Sequence, residues 1–242
     1  PKISEVVADA KKALEQGAKE LIITGVNIGD FGRSTGESFI ELLRALDALE
    51  VESRELRVES RDERVESRDE RVESRDERVE SRDERVESRD ERDYRVRISS
   101  CEPNLLTDEI IDFVAQSKHF APHFHIPLQS GSNEVLKIMG RRYTRELFAD
   151  RVRHIREVMP HAFIGVDCMV GVRGETEEYW EDYLRFINEL DVSQLHVFTY
   201  SERANTRMLE MDLYIVPKSE RQRRSKILHQ VSEEKTRNFY AK

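Results

Sequence analysis

Ala162-Phe163-Ile164-Gly165-Val166-Asp167-Cys168-Met169-Val170 is an apolar run that stops at Gly171. A polar loop through 171–176 follows, then helical sequence over 177–190 and a second short apolar run over 193–200. Strand, loop, helix and strand in that order form a unit whose two strands lie parallel, with the helix covering one face of the sheet. The same order recurs on either side. Upstream, 123–128 reads as a strand, Ser130-Gly131-Ser132-Asn133 as a loop, and 135–139 and 146–158 as helical sequence. Before that come a strand over 94–99, a loop over 100–106 and a helix over 108–116 with Thr107 as its cap. The chain opens with a helix over 3–16 on Ile3, Val6, Val7, Ala10 and Leu14, with Gly17 as its stop. A strand over 21–26 and a glycine-rich loop over 27–32 lead to a helix around Phe39, Leu42, Leu43, Leu46 and Leu49. Five strands are visible, and the unusual residues gather after their C-terminal ends: Gly25 and Asn27, Ser100 and Glu102, Gln129 and Ser130, Asp167 and Gly171, Tyr200 and Ser201. Parallel α/β folds build their sites there. Periodicity leaves both a barrel and an open doubly wound sheet open.

The 242 residues, 38% hydrophobic and 37% charged, are enough for one sizeable core. No run approaches the roughly 18 apolar residues of a membrane span, and Pro1-Lys2-Ile3-Ser4-Glu5 lacks the order of a secretory signal, so a cytoplasmic protein is expected. Cys101 and Cys168 are the only cysteines, which excludes a thiolate metal site of three or four ligands built from this chain alone and predicts two small buried apolar residues.

The net charge of -9 comes mainly from a repeat. Arg-Val-Glu-Ser-Arg-Asp-Glu occurs five times in succession over 57–91, each copy carrying two Arg against three acids. A coiled coil needs two apolar positions per heptad, and only Val58, Val65, Val72, Val79 and Val86 recur. Like charges also meet at helical spacing, as in Glu59 with Glu63 and Arg57 with Arg61, which destabilises a helix. A solvated excursion bounded near Val51 and Asp93 is predicted, giving a first part over 1–50, the insertion over 51–93, and the remainder over 94–216. Arg141 to Arg156 and the terminal helix over 217–242 are locally basic, a charge suited to a polyanion.

Three stretches carry a resemblance. Pro127-Leu128-Gln129-Ser130-Gly131-Ser132-Asn133-Glu134-Val135-Leu136-Lys137-Ile138-Met139-Gly140-Arg141-Arg142-Tyr143-Thr144 resembles the signature of radical S-adenosylmethionine methylthiotransferases. Gly165-Val166-Asp167-Cys168-Met169-Val170-Gly171-Val172-Arg173-Gly174-Glu175-Thr176 and Gln194-Leu195-His196-Val197-Phe198-Thr199-Tyr200-Ser201-Glu202-Arg203 follow in the same order. The loops Thr24 to Gly32 and Ser99 to Asn104 resemble the branch acting on threonylcarbamoyladenosine in tRNA.

The resemblance implies a partial (β/α) barrel of the radical SAM type, S-adenosylmethionine and 4Fe-4S clusters as cofactors, tRNA as partner, and transfer of a methylthio group to a modified adenosine next to the anticodon. Sulfur and electron donors stay unnamed. The family's first strand and three-cysteine cluster loop correspond to sequence before Pro1, so the chain is expected to be a core fragment, inactive as it stands. S-adenosylmethionine offers an amine, a carboxylate, a ribose diol and an adenine, which call for an acid, a cation and polar groups. By resemblance Arg141 takes the carboxylate and Glu102, Gln129 and Asp167 the ribose or amine, and Ser100 is a further cofactor-binding residue. Gly25, Asn27 and Gly171 let backbone approach the cofactor, and Tyr200, Ser201 and Arg203 face the substrate. Ala204-Asn205 stands where the family has Pro-Gly, and Thr199 where Pro is common. His123 and His125 share a strand face, but spacing places no third ligand, so no metal site is assigned to them. Two other readings remain: a methylthiotransferase of a ribosomal-protein aspartate, and a non-enzymatic interaction protein assembled through the repeat.

Overall fold

The computed structural model describes residues 1–50 and 94–241, and the heptapeptide array with its expected boundaries lies outside them. The elements run α1 (Ile3–Glu15), β1 (Glu20–Ile23), α2 (Phe39–Asp47), β2 (Arg95–Ile98), α3 (Asp108–Gln116), β3 (His123–Gln129), α4 (Asn133–Ile138), α5 (Arg145–Val158), β4 (Phe163–Val170), α6 (Glu177–Glu189), β5 (Gln194–Thr199), α7 (Arg207–Glu210) and α8 (Lys218–Tyr240). Four helix starts among the described residues carry side-chain caps. Ser38, Thr107, Thr144 and Thr176 each accept a hydrogen bond from the backbone N–H three residues on, and Ser38 with Glu41 completes a reciprocal capping box.

The five strands among the described residues are parallel. β1 pairs with β2, and β3, β4 and β5 form a second ladder in which Asp167 lies opposite His196. Single bridges between Val96 and Phe120 and between Ser100 and His125 join the two ladders. The strands therefore follow one another in chain order. A doubly wound sheet would reverse that order at its switch point, so the alternative left open by periodicity is decided for a partial barrel. Burial agrees. Phe124, Ile126, Leu128, Ile164, Val166, Cys168 and Val170 are all within 2% of complete burial under the helices. The alternating His125, Asp167, Met169 and His196 are only partly buried, and His125, Asp167 and His196 make the inner face polar.

Two expectations change. The strand expected over 21–26 ends at Ile23, whose carbonyl takes the last ladder bond from Ser99 N, and Thr24 to Asn27 leave the sheet exposed. The terminal helix is less open to a polyanion than its charge suggests. Arg224 is buried, Lys235 Nζ donates to Leu190 O at 2.6 Å, and Arg221 donates to the Val216 and Tyr200 carbonyls. Ser232 exchanges hydrogen bonds of 3.0 and 2.9 Å with the Leu195 backbone, which seats α8 on β5.

Candidate cofactor site

The C-terminal end of β3 is held in an unusual shape. Gln129 has φ +66°, a left-handed conformation that costs a non-glycine residue energy and persists only when its surroundings impose it. Here they do. Tyr143 Oη donates to the Pro127 carbonyl at 2.7 Å and lies 3.2 Å from that of Leu128, while Tyr183 Oη reaches the Gln129 carbonyl at 3.5 Å. A Cβ at Gly131 would stand 2.6 Å from the Tyr183 ring, so only glycine lets α6 close on this turn. Gln129 Oε1 ends up buried, with no hydrogen-bond partner among the described residues. An unsatisfied buried acceptor of this kind is costly, and a donor from a ligand would relieve it.

Next to this turn, Arg141 Nη1 lies 3.4 Å from Glu102 Oε1, both side chains half-buried. Gly140, at φ +72°, ends the short helix before Arg141, and Cys101 N donates to His125 O, which brings the loop of Glu102 beside β3. The charges of Arg141, Glu102 and Asp167 all act on the Tyr143 hydroxyl, whose pKa is pushed up mainly by burial. Arg141, Glu102 and Asp167 are thus all near Tyr143.

The other expected residues lie at separate strand ends and loops. Ser100 bridges to β3. Gly25 and Asn27 are exposed in the first loop, where Asn27 Nδ2 donates to Asp30 Oδ2. Gly171, at φ +77°, is packed against Arg221, whose guanidinium lies 5.4 Å from the Tyr200 ring. Ser201 and Arg203 are exposed. Asn205 takes φ +64° where the resembling family has glycine, a conformation that Asn tolerates better than most residues.

Asp167 sits apart from Arg141 in its bonding. Its Oδ1 lies 2.7 Å from His125 Nε2 and 3.3 Å from His196 Nδ1. Burial pushes this carboxyl up, but the hydrogen bond and charge of His125, then of His196, outweigh it and hold the group below its usual value. His123, the expected companion of His125, instead stacks on Phe163. His125 thus acquires its neighbours from β4 and β5, a grouping no spacing within β3 reveals.

The chain's thiols do not fit an iron–sulfur cluster. Cys101 and Cys168 are 3% and 0% exposed, and burial pushes each thiol up to about 12. At pH 8 both are expected to resist alkylation by iodoacetamide in the native chain and to react together in urea. Rapid native labelling of either would contradict their burial.

Comparison with known proteins gives the same picture. A family model described as the Radical SAM superfamily matches residues 1–187. Threonylcarbamoyladenosine tRNA methylthiotransferase MtaB of Bacillus subtilis is 34% identical over 86% of this chain and 38% of its own length. A tRNA-2-methylthio-N(6)-dimethylallyladenosine synthase of Desulfitobacterium hafniense is 28% identical over the same shares. The chain thus spans about two fifths of the length of these relatives. The solved structure of TsrM, a radical S-adenosylmethionine methyltransferase from Kitasatospora setae with cobalamin and a [4Fe-4S] cluster bound, superposes with a TM-score of 0.52 at 17% identity, over 82% of this chain and 31% of that one. No helix among the described residues is long and apolar enough to cross a membrane. With the parallel half-barrel, the strand-tip site and the family match in agreement, the chain belongs to the radical SAM superfamily.

Proposed function

We propose that this chain is the S-adenosylmethionine-binding core of a tRNA methylthiotransferase of the threonylcarbamoyladenosine branch, with 1–50 and 94–216 forming the barrel and 217–242 a linking helix. The observation that carries the reading is the loose Arg141–Glu102 pair, and the unpartnered Gln129 Oε1 at the end of β3 supports it. A guanidinium at 3.4 Å from its carboxylate has donors to spare for a second, bidentate carboxylate. Glu102 is the acid for an ammonium, and Gln129 Oε1 the acceptor for a ribose hydroxyl. Asp167 shares its Oδ1 with two imidazoles, so it is left out of these contacts. The bound cofactor supplies the sulfonium whose carbon–sulfur bond is broken in this family's chemistry. The protein's own part is to hold the methionyl and ribose groups and to shelter them. Turnover needs cluster ligands that the two buried thiols do not provide, so the 242 residues by themselves are inactive.

The test is S-adenosylmethionine binding by isothermal titration, with Arg141→Ala as the variant. Losing a charge-assisted hydrogen bond of about 1.5–3 kcal/mol predicts binding weakened by roughly ten- to a hundredfold. Unchanged affinity in Arg141→Ala, or no binding by the parent chain, sinks the reading. Transfer RNA is the partner expected by likeness to the relatives. A gel-shift with tRNA carrying threonylcarbamoyladenosine, against one carrying isopentenyladenosine, separates the two tRNA branches.

A further inference from the structure

Among the described residues, one group of three potential metal ligands converges: His125 Nε2, Asp167 Oδ1 and His196 Nδ1, all within 4.8 Å of one another. They come from three neighbouring strands and point into the polar interior of the half-barrel. We propose that these side chains form a site for one divalent transition-metal ion of the zinc or iron(II) class, with at least one coordination position left to water or a ligand.

The donor set is chemically apt. Two neutral imidazoles and a carboxylate suit borderline divalent ions, and three protein ligands leave an open position. Ligand atoms at about 2.0–2.2 Å from a tetrahedral zinc stand roughly 3.3 Å from one another. The His196 nitrogen already lies 3.3 Å from Asp167 Oδ1, while the His125 nitrogen, at 2.7 Å, must retreat by more than half an ångström.

The backbone fixes this arrangement in advance. Asp167 and His196 are register partners in the β4–β5 ladder, and the β3–β4 ladder carries His125 opposite Gly165. A Cβ at Gly165 would stand 3.3 Å from the Phe163 ring and in ordinary contact, at 3.5 Å, with His196 Cε1, so this glycine borders the imidazole. Entry is open, because His196 is 39% exposed and His125 25%.

Binding replaces the carboxylate's contacts to the two rings with metal bonds. Without an ion, Asp167 Oδ1 faces His125 Nε2 and His196 Nδ1. With one, each of these nitrogens presents its lone pair to the metal, and each neutral imidazole carries its single proton on the opposite ring nitrogen, a change of tautomer with no net proton release. No thiolate takes part, so occupancy does not depend on an iron–sulfur cluster. Failure here would leave the Arg141 test untouched.

The experiment uses the untagged full chain, stripped with EDTA and titrated with Co(II), followed by visible ligand-field absorption and by displacement with Zn(II). One equivalent of Co(II) is expected to bind, with the intensified bands of four- or five-coordination. Asp167→Asn and His196→Gln are expected to weaken binding by more than about tenfold. His154→Ala is the control, since His154 and Asp112 form a similar 2.8 Å pair elsewhere on the surface. Absorption no greater than that of the aqueous ion overturns the proposal, as does a signal that survives both ligand variants or disappears in His154→Ala. Should Asp167→Asn lose its native circular dichroism, His196→Gln, at the most exposed of the three side chains, decides the matter alone.

Discussion

Arg224→Ala is expected to destabilise the chain by about 3–5 kcal/mol, read as a fall in urea midpoint with little change in slope. Arg224 is 1% exposed. Its guanidinium donates to Glu175 Oε1 at 2.7 Å, to the Glu175 carbonyl at 3.0 Å, to Glu177 at 2.7 Å and to Glu220 at 2.9 Å, and lies 5.5 Å from the Trp180 ring centroid. Truncation leaves Glu175, itself 0% exposed, without its cation. The pair as a whole contributes less than that loss implies, because burying two charges offsets much of their attraction. Arg224→Met combined with Glu175→Gln is therefore expected to recover part of the stability.

The pH dependence of Arg224→Ala follows from Glu175. Burial raises this carboxyl above its ordinary value even with Arg224 present, and losing the guanidinium raises it further. A native acid with a raised pKa binds more protons than the unfolded chain between the two values. The stability deficit of the variant is thus largest at neutral pH and shrinks as pH falls through the raised native pKa. A deficit that grows on acidification would show that Glu175 is not the group left stranded. Structurally, this network ties α8 to the loop after β4, the same loop in which Gly171 N donates to Glu175 Oε1 at 3.1 Å.

Tyr183→Ala is the second large effect, about 3–5 kcal/mol for emptying a fully buried aromatic position. Tyr183 is 0% exposed, packs edge-on to Trp180 with ring centroids 5.9 Å apart, and covers Gly131. Tyr183→Phe keeps the ring and loses only a 3.5 Å contact to the Gln129 carbonyl and one to the Cys168 thiol, so a cost under about 1 kcal/mol is expected. Because the ring supports the left-handed turn at Gln129, Tyr183→Ala should also weaken S-adenosylmethionine binding under conditions where the variant remains folded. Equal stability of the Ala and Phe variants would place the anchor elsewhere.

The strands over 123–128, 162–170 and 193–200 were legible because apolar runs bounded by Gly, Pro and polar loops are local signals. Helix starts at Thr107 and Glu177 were equally legible, and Thr176 adds a side-chain cap where the loop before Glu177 ends. The first strand was overextended because Thr24-Gly25-Val26 continues the apolar pattern while its backbone finds no ladder partner beyond Ile23. Arg224 is one of several basic residues in the terminal helix, and a charge pattern suited to a polyanion does not reveal which guanidinium has buried carboxylates waiting for it. His125 read as half of an unproductive pair with His123, because alternation along one strand shows only that strand's own face.

By itself the sequence determined the order of strands and helices, the strand tips as the place for a site, and a family likeness carried by contiguous motifs. These depend on residues near one another along the chain, where periodicity and capping act. The tertiary structure alone decided that strand order follows chain order in a half-barrel, that Arg141 meets Glu102, and that His125, Asp167 and His196 share one carboxylate oxygen. Those contacts join residues from separate strands and loops, and ladder register sets their distances, which no local pattern in the chain encodes.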